Sequence, residues 1–136
     1  MAAWIAAIPF ADWPQQTPVD GQLRPAMVTD LAWHGFGLRC EPVVAQVIGE
    51  FPGCIARQHM LSVVMPGHSI PDHVDEQPPY WLTRVHVPLA TNRQALFAGR
   101  HLEEGIAHYV NTRRPHGVVN GGETARIHFM FDVVQK

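Results

Sequence analysis

Short β-prone runs separated by proline, glycine and asparagine fill the chain from residue 55 onward. These runs are 56–65, 80–89, 94–99, 106–111, 115–119 and 124–134. Strands at this spacing, with no helical patterns between them, favour an all-β sandwich or barrel over alternating β–α–β units. A chain of 136 residues is long enough for one domain with a substantial core. We therefore predict a single domain over residues 1–136, all-β with minor α, whose β core spans 56–134.

The region before the β core is less regular. Four prolines and little periodicity in residues 1–26 predict an irregular arm packed on the domain. Residues 27–34 are compatible with a strand. The best helix candidate is 41–50, because its apolar residues recur at helical spacing and a Pro-Gly pair follows it. Those apolar residues are Val43, Val44, Val47 and Ile48.

Composition excludes several classes of protein. No run approaches the roughly 20 apolar residues of a membrane span. The net charge is -2 and the arginines are scattered, so no basic stripe for nucleic acid or membrane-surface helix is present. Cys40 and Cys54 form neither a metal motif nor a disulfide scaffold, and we expect free thiols in a reducing compartment. Met1 to Ala11 lacks a basic leader, so we expect a cytoplasmic protein.

The end of the sequence predicts a hairpin. Asn120-Gly121-Gly122 lies between two β-prone runs, and a three-residue loop ending in a left-handed glycine is a favoured connection. Such a loop would pair Val119 with Glu123 and place His116 opposite Arg126 on one face. A two-residue loop would instead place these two side chains on opposite faces.

Polar side chains recur on one face of two predicted strands. Arg126 and His128 share a face of the last strand, while Arg84 and His86 share a face of an earlier one. Such a face either contacts solvent or lines a polar cavity. Because these strands flank the candidate metal ligands described next, we favour the cavity.

A metal site is suggested by His73-Val74-Asp75 together with His116. Two imidazoles and one carboxylate form the ligand set of mononuclear non-haem iron(II) sites, which leave coordination positions open. Arg126 suits the remote carboxylate of a 2-oxo diacid, because a guanidinium stays charged when desolvated and binds carboxylates through two donors. His-X-Asp alone is a weak signal, and both residues could lie in a polar loop. The downstream histidine and arginine strengthen the metal interpretation.

Four stretches resemble the aspartyl/asparaginyl β-hydroxylase family of iron(II)- and 2-oxoglutarate-dependent dioxygenases, in family order and with nearly family spacing. They are Ser62-Val-Val-Met-Pro66-Gly67 leading to His73, Arg84-Val-His86-Val-Pro88-Leu89, His116-Gly-Val-Val-Asn120, and Arg126-Ile-His128-Phe-Met-Phe131-Asp132. The resemblance covers about half of the chain and extends to related bacterial free-proline hydroxylases, which carry His-X-Asp.

The resemblance implies a double-stranded β-helix, that is, a cupin-like jelly roll. It implies iron bound by His73 and His116, with Asp75 completing the set. It also implies that Ser62, His86 and Arg126 contact 2-oxoglutarate, with Arg84 near that site. The implied reaction hydroxylates an amino acid, a peptide residue or a related small substrate, consuming O2 and releasing succinate and CO2. Candidates for gripping that substrate are the following residues: Tyr80, Trp81, Arg113 and Arg114.

Two other function classes remain open from the sequence. One is a metal-binding cupin-like protein without oxygen chemistry, such as a sensor or isomerase. The other is an inactive family member that serves as an interaction module. Arg126 at the base of a cavity discriminates against the first, because a non-oxidative site does not require it. A homodimer is compatible with the exposed sheet edges of a small β domain.

Overall fold

The computed structural model describes residues 26–30 and 36–136, with side chains from residue 41 onward. The described residues form eight strands and one helix. These elements are β1 (Ala26–Asp30), α1 (Phe36–Ile48), β2 (Cys54–Val64), β3 (Ser69–His73), β4 (Trp81–Ala90), β5 (Ala95–Phe97), β6 (His108–Val110), β7 (His116–Asn120) and β8 (Arg126–Gln135). The predicted arm 1–26 lies almost wholly outside the described residues, so the single domain over 1–136 stays a prediction.

Two antiparallel sheets form the fold. The larger has the strand order β1-β2-β8-β4-β6 and the smaller has the order β3-β7-β5. An apolar cluster of Val64, Phe97 and Val118 joins strands of both sheets, so the sheets pack face to face. The predicted all-β class with minor α is confirmed, as a cupin-like sandwich.

Both faces of the large sheet are covered around its central strand, β8. On the outer face, Val47 of α1 packs against a cluster that includes Leu61, Val85, Phe129 and Phe131. The alternate residues of the same strands point to the inner face, towards the small sheet. The helix is the only one in the described part of the chain, and it is too short to span a membrane.

Two element predictions differ from the structure. The helix begins at Phe36 instead of residue 41 and ends at Ile48 instead of residue 50, with Pro42 inside it. Proline normally disfavours a helix interior, which is why the sequence favoured a start beside Pro42. Strand β3 was not predicted, because Pro71 and polar neighbours resemble a loop. The structure places it at an edge of the small sheet, where proline is tolerated.

The predicted hairpin between the last two strands is wrong. β7 pairs with β3 and β5, whereas β8 pairs with β2 and β4. His116 therefore lies opposite His73, and Arg126 lies opposite Val64. Residues 121–125 cross from one sheet to the other instead of closing a tight turn.

The buried amide of Asn120 holds this crossover in place. Its Nδ2 donates to the carbonyl oxygens of Val64 and Thr124, each at 2.9 Å. Its Oδ1 accepts from Asn92 Nδ2 and from the Gly122 backbone N–H, each at 3.1 Å. A side chain at Gly122 would overlap the Asn92 amide, so glycine is required by close approach. The glycine at this point is therefore structurally required, but it belongs to a connection between the two sheets instead of a hairpin turn.

We expect Asn120→Ala to destabilise the protein by about 2–4 kcal/mol, because it leaves several buried backbone and side-chain groups without partners. The free energy of unfolding from chemical denaturation measures this. Asn111→Ala is the matched control, since Asn111 is exposed and its side chain makes one hydrogen bond, accepted from the Arg113 backbone N–H at 3.1 Å. Equal losses in the two variants would contradict the structural role of Asn120.

Candidate functional site

His73, Asp75 and His116 converge at one end of the small sheet. His73 ends β3, His116 begins β7, and the two are direct cross-strand partners. His73 Nε2 lies 3.5 Å from Asp75 Oδ1, and His116 Nε2 lies 3.6 Å from Asp75 Oδ2. One potential ligand atom from each residue lies within 4.8 Å of the others. The three side chains can therefore face one cation.

The backbone fixes the tautomer of both histidines. His73 Nδ1 lies 2.8 Å from the Pro71 carbonyl oxygen, and His116 Nδ1 lies 2.9 Å from the Arg114 carbonyl oxygen. A carbonyl oxygen only accepts, so each Nδ1 carries the proton and donates. Each Nε2 is then the lone-pair nitrogen that faces Asp75. Metal-ligating histidines typically have this arrangement.

Close backbone approach next to His116 sets the spacing of the two histidine strands. A Cβ at Gly117 would overlap Asp72 Oδ1 and would lie 2.8 Å from the Ile70 carbonyl oxygen. A backbone oxygen cannot move aside cheaply, so glycine allows β7 to lie against β3 at this point. The cross-strand contact of His73 and His116 depends on that approach.

Asp75 is held from two sides. Its backbone N–H donates to the Thr112 carbonyl oxygen at 2.8 Å. Arg84 Nη1 donates to its Oδ2 at 3.2 Å. The same guanidinium binds Asp132 through two hydrogen bonds of 2.8 and 3.0 Å. This bidentate pair fixes the plane of Arg84 and, through it, the orientation of the Asp75 carboxylate.

A buried cation lies farther along the inner face. Arg126 is 2% exposed, and its guanidinium donates to Ser62 Oγ at 3.1 Å and to His128 Nδ1 at 2.8 Å. None of the ion pairs among the described residues includes Arg126. Burial lowers the pKa of Arg126 to about 9, so it remains protonated at neutral pH. A buried charge without a counter-ion is costly.

Two neutral histidines adjoin this cation. Because Arg126 donates to His128 Nδ1, that nitrogen is an acceptor and the proton of His128 is on Nε2. His86 Nδ1 lies 3.0 Å from the same atom and must be the donor of that pair. Burial lowers the pKa of both histidines well below the usual value, and the nearby Arg126 charge lowers each further.

An aromatic ring connects the buried cation to the metal ligands. The Phe97 ring centroid lies 4.8 Å from that of His86 and 5.5 Å from that of His116. The chain of contacts from His116 through Phe97, His86 and His128 to Arg126 is therefore continuous. The inner face carries buried polar side chains and is not a solvent face, and His116 and Arg126 contribute to it from different sheets.

The four proposed substrate-gripping residues are divided among different environments. Tyr80 is 54% exposed, whereas Trp81 is 2% exposed. The Arg113 guanidinium lies 4.9 Å from the Trp81 ring centroid and donates to the Pro78 carbonyl oxygen. Arg114 contributes its backbone carbonyl to His116 and its side chain is exposed.

Asp132 and His128 lie within the last stretch that resembles the family, but the sequence assigned neither of them a role. Strand alternation already placed both on the face of Arg126, so the signal was available. Thr112, Phe97 and Gly117 were missed. Their importance comes from long-range pairing, which no local pattern reveals.

Solved structures that resemble this chain include the following three. A Pseudomonas putida prolyl-4-hydroxylase has a similar fold, with a TM-score of 0.54 and 16% identity over 88% of this chain and 77% of that chain. A cupin 2 conserved barrel protein from Salinispora arenicola has a TM-score of 0.46 and 17% identity, covering 88% and 87%. A predicted oxalate decarboxylase from Thermotoga maritima has a TM-score of 0.48 and 15% identity, covering 82% and 81%.

The sequence model of aspartyl/asparaginyl beta-hydroxylase matches residues 33–136. The chain therefore belongs to the aspartyl/asparaginyl β-hydroxylase family, and the predicted resemblance is confirmed. Family membership indicates a hydroxylase-type function. No curated protein is significantly similar in sequence.

We expect the protein to lose stability as the pH falls below about 6.5, the ordinary histidine pKa. The pKa values of His86 and His128 are lowered in the folded state, so below that pH the unfolded chain binds protons that the folded chain does not. Each histidine contributes up to about 1.4 kcal/mol per pH unit until its folded pKa is reached. Chemical denaturation of the metal-free protein between pH 7 and 5 measures the slope.

His128→Gln should reduce this slope by the contribution of one histidine, because its amide oxygen can still accept from Arg126. A slope that stays the same in His128→Gln would contradict the neutral buried state of His128.

Proposed function

We propose that the protein is an iron(II)- and 2-oxoglutarate-dependent dioxygenase that hydroxylates an amino acid, a peptide residue or a related small substrate. In this proposal His73, Asp75 and His116 hold the metal. Ser62, His86 and Arg126 bind the cosubstrate, O2 is consumed, and succinate and CO2 are released. Family membership and the hydroxylase-type fold support the reaction class.

The observation that carries the proposal is the Arg126 guanidinium, 2% exposed and without an acidic partner among the described residues. A buried cation of this kind is stabilised when an anionic ligand completes its environment. Arginine offers two parallel donors, which match a carboxylate. Ser62 already contacts the guanidinium and adds a hydroxyl donor next to it. In this proposal the cosubstrate is a dicarboxylate, whose second end extends towards the three metal ligands.

The donor set fits iron(II). Two neutral imidazoles and one carboxylate, without thiolate, are the facial set of non-haem iron oxygenases. Ligand atoms bound at about 2.1 Å and at right angles are about 3 Å apart. With one ligand atom from each residue, the three atoms lie within 4.8 Å of one another, so the side chains would draw closer together around a bound metal. Iron and 2-oxoglutarate, when bound, supply the oxidation of the substrate by O2 coupled to decarboxylation of the cosubstrate.

The chain's own residues orient the candidate metal ligands. His73 and His116 are aimed by their bonds to backbone carbonyl oxygens, and Asp75 is aimed by Arg84. Phe97 contacts the rings of both His116 and His86 and presents an apolar surface to them. Arg84 was expected near the cosubstrate. In this proposal it acts through Asp75, because its donors are engaged by Asp132 and Asp75.

We expect the anaerobic protein to develop a weak visible charge-transfer band when iron(II) and 2-oxoglutarate are added together. The band arises only when the cosubstrate chelates a metal held by the three ligands. His116→Ala should abolish it. Arg126→Gln should retain metal binding but weaken the affinity for 2-oxoglutarate by about 100-fold, because the charge that binds the remote carboxylate is lost. Titrations followed by absorbance measure both effects.

His101→Ala replaces an exposed histidine and is the control that should keep the band at full intensity. Absence of the band in the unmodified protein would leave a non-oxidative metal protein as the better description. Equal 2-oxoglutarate affinity in the unmodified protein and Arg126→Gln would refute the role of Arg126.

We expect Arg84→Lys to weaken metal affinity by about tenfold or more, because an ammonium cannot bridge Asp75 and Asp132 as the guanidinium does. Asp132→Asn should have a similar effect by releasing the Arg84 fork. Competition titration with a divalent metal indicator measures the affinity without turnover. The double variant should lose less metal-binding free energy than the sum of the two single variants, because both changes act on the same interaction. Glu76→Gln, next to Asp75 but exposed, should leave the affinity unchanged.

A further inference from the structure

A cavity of about 520 Å³ lies at the end of the large sheet where β4 begins and β8 ends. We call it the outer pocket. Its main lining residues are Ile55, Arg57, Gln58, Trp81, Val134 and Lys136. Several of these are exposed, so the outer pocket opens at the protein surface.

Strand register places the outer pocket on the face of the candidate metal centre. Ile55 and Trp81 are both cross-strand partners of Val134. One row farther along β8, Arg57 and Arg84 are both partners of Asp132. Cross-strand partners point to the same face. Because Arg84 bonds to Asp75, this face is the inner one, and the outer pocket lies on the opposite side of the centre from Arg126.

The pocket wall is also continuous with a metal-ligand segment. Gln77 lines the pocket, and its Nε2 donates to Thr112 Oγ1 at 3.1 Å. The Thr112 carbonyl accepts from the backbone N–H of Asp75 at 2.8 Å. The segment that follows Asp75 therefore forms both the support of the centre and one wall of the pocket.

The charge of the outer pocket is positive. Its lining includes Arg57 and Lys136 but no aspartate or glutamate. Asp132 is the cross-strand partner of Arg57, but both of its carboxylate oxygens bond to Arg84 instead. No ion pair among the described residues includes Arg57. Since Arg84 engages both Asp132 oxygens, the exposed guanidinium of Arg57 is available to an external anion.

Backbone strain occurs at the same place. Gln58 has φ of 54°, a left-handed conformation in the middle of strand β2, where the register shifts between Arg57 and Met60. A non-glycine residue in this conformation is strained, and such strain clusters at ligand sites. The bulge redirects the side chains of Arg57 and Gln58 at the pocket.

We propose that the outer pocket is the substrate subsite of the candidate centre and takes a molecule with an anionic group, a carboxylate or a phosphate. The anionic group pairs with Arg57, and the uncharged remainder contacts Ile55, Trp81 and Val134. The proposal of an anion site rests only on the residues that line the pocket. Only its assignment to substrate rests on the proposed function.

The test uses the full chain, labelled with ¹⁵N, and three probes that share one ring: phenylacetate, phenyl phosphate and phenylacetamide. The anions should shift the signals of the Gln58 side-chain amide and the Trp81 indole, and should bind about tenfold more tightly than the neutral amide. The preferred anion identifies the carboxylate or phosphate class. Equal binding of the amide, or shifts confined to another part of the protein, overturns the proposal.

Arg57→Gln should reduce anion affinity to that of the amide, about tenfold, while Arg57→Lys should retain part of it. Arg100→Gln, an exposed arginine beyond the small sheet, is the matched control and should change nothing. Unchanged anion affinity in Arg57→Gln overturns the assignment. These measurements need neither iron nor oxygen, so they do not depend on turnover.

The link to the centre is tested by adding Mn(II) as a paramagnetic probe. The protons of the bound anion should broaden, and His116→Ala should remove the broadening while leaving anion binding intact. Anion binding without broadening overturns the substrate subsite. Failure of the proposed function would be seen differently, as loss of the 2-oxoglutarate response while anion binding and broadening persist.

Discussion

The buried guanidinium of Arg126 is the constraint on which the interior depends. A sandwich of two sheets normally fills the space between them with apolar side chains. Here the buried residues of β8 on the face towards α1 are all apolar, whereas its inner face carries Arg126, His128 and Asp132 besides Met130 and Val134, and each of the three polar side chains is 2% or 3% exposed. Each of these groups must be partnered. Asp132 accepts a hydrogen bond from Arg84, and His128 accepts one from the Arg126 guanidinium. The Arg126 guanidinium itself has only the neutral acceptors Ser62 and His128.

The sequence predicts those features of the fold and site that depend on local interactions, but not those that depend on contacts between residues distant in sequence. Alternation along β8 is local, so the sequence correctly placed Arg126 and His128 on one face, and the structure buries that face. His73, Asp75 and His116 were chosen from spacing and the structure brings them together. The pairing of His116 with Arg126 was wrong, because a glycine-rich segment looks alike whether it closes a hairpin or crosses between sheets. Asn120 decides between these outcomes, and its partners Val64 and Asn92 are distant in sequence.

Preorganisation at the candidate centre comes mainly from the backbone. The histidine tautomers are set by carbonyl oxygens two residues earlier in the chain, and the spacing of their strands is set by glycine at position 117. Asp75 is the exception, since its orientation depends on a side-chain fork that Asp132 holds from the opposite sheet. The centre thus joins the two sheets, and distortion of either would be expected to disturb the ligand geometry.

The order of charges along the inner face argues for an ordered arrangement of ligands. Arg126 lies at one end, the neutral pair of His86 and His128 follows, and the candidate metal ligands lie beyond Phe97. If either histidine of the pair were protonated, it would lose its role as acceptor or repel the guanidinium, and burial disfavours that state. The neutral pair therefore separates two cationic positions without adding charge. Under the proposed function, a diacid with one end at Arg126 and the other at the metal would satisfy both positions and leave the side nearest Arg57 for a second molecule.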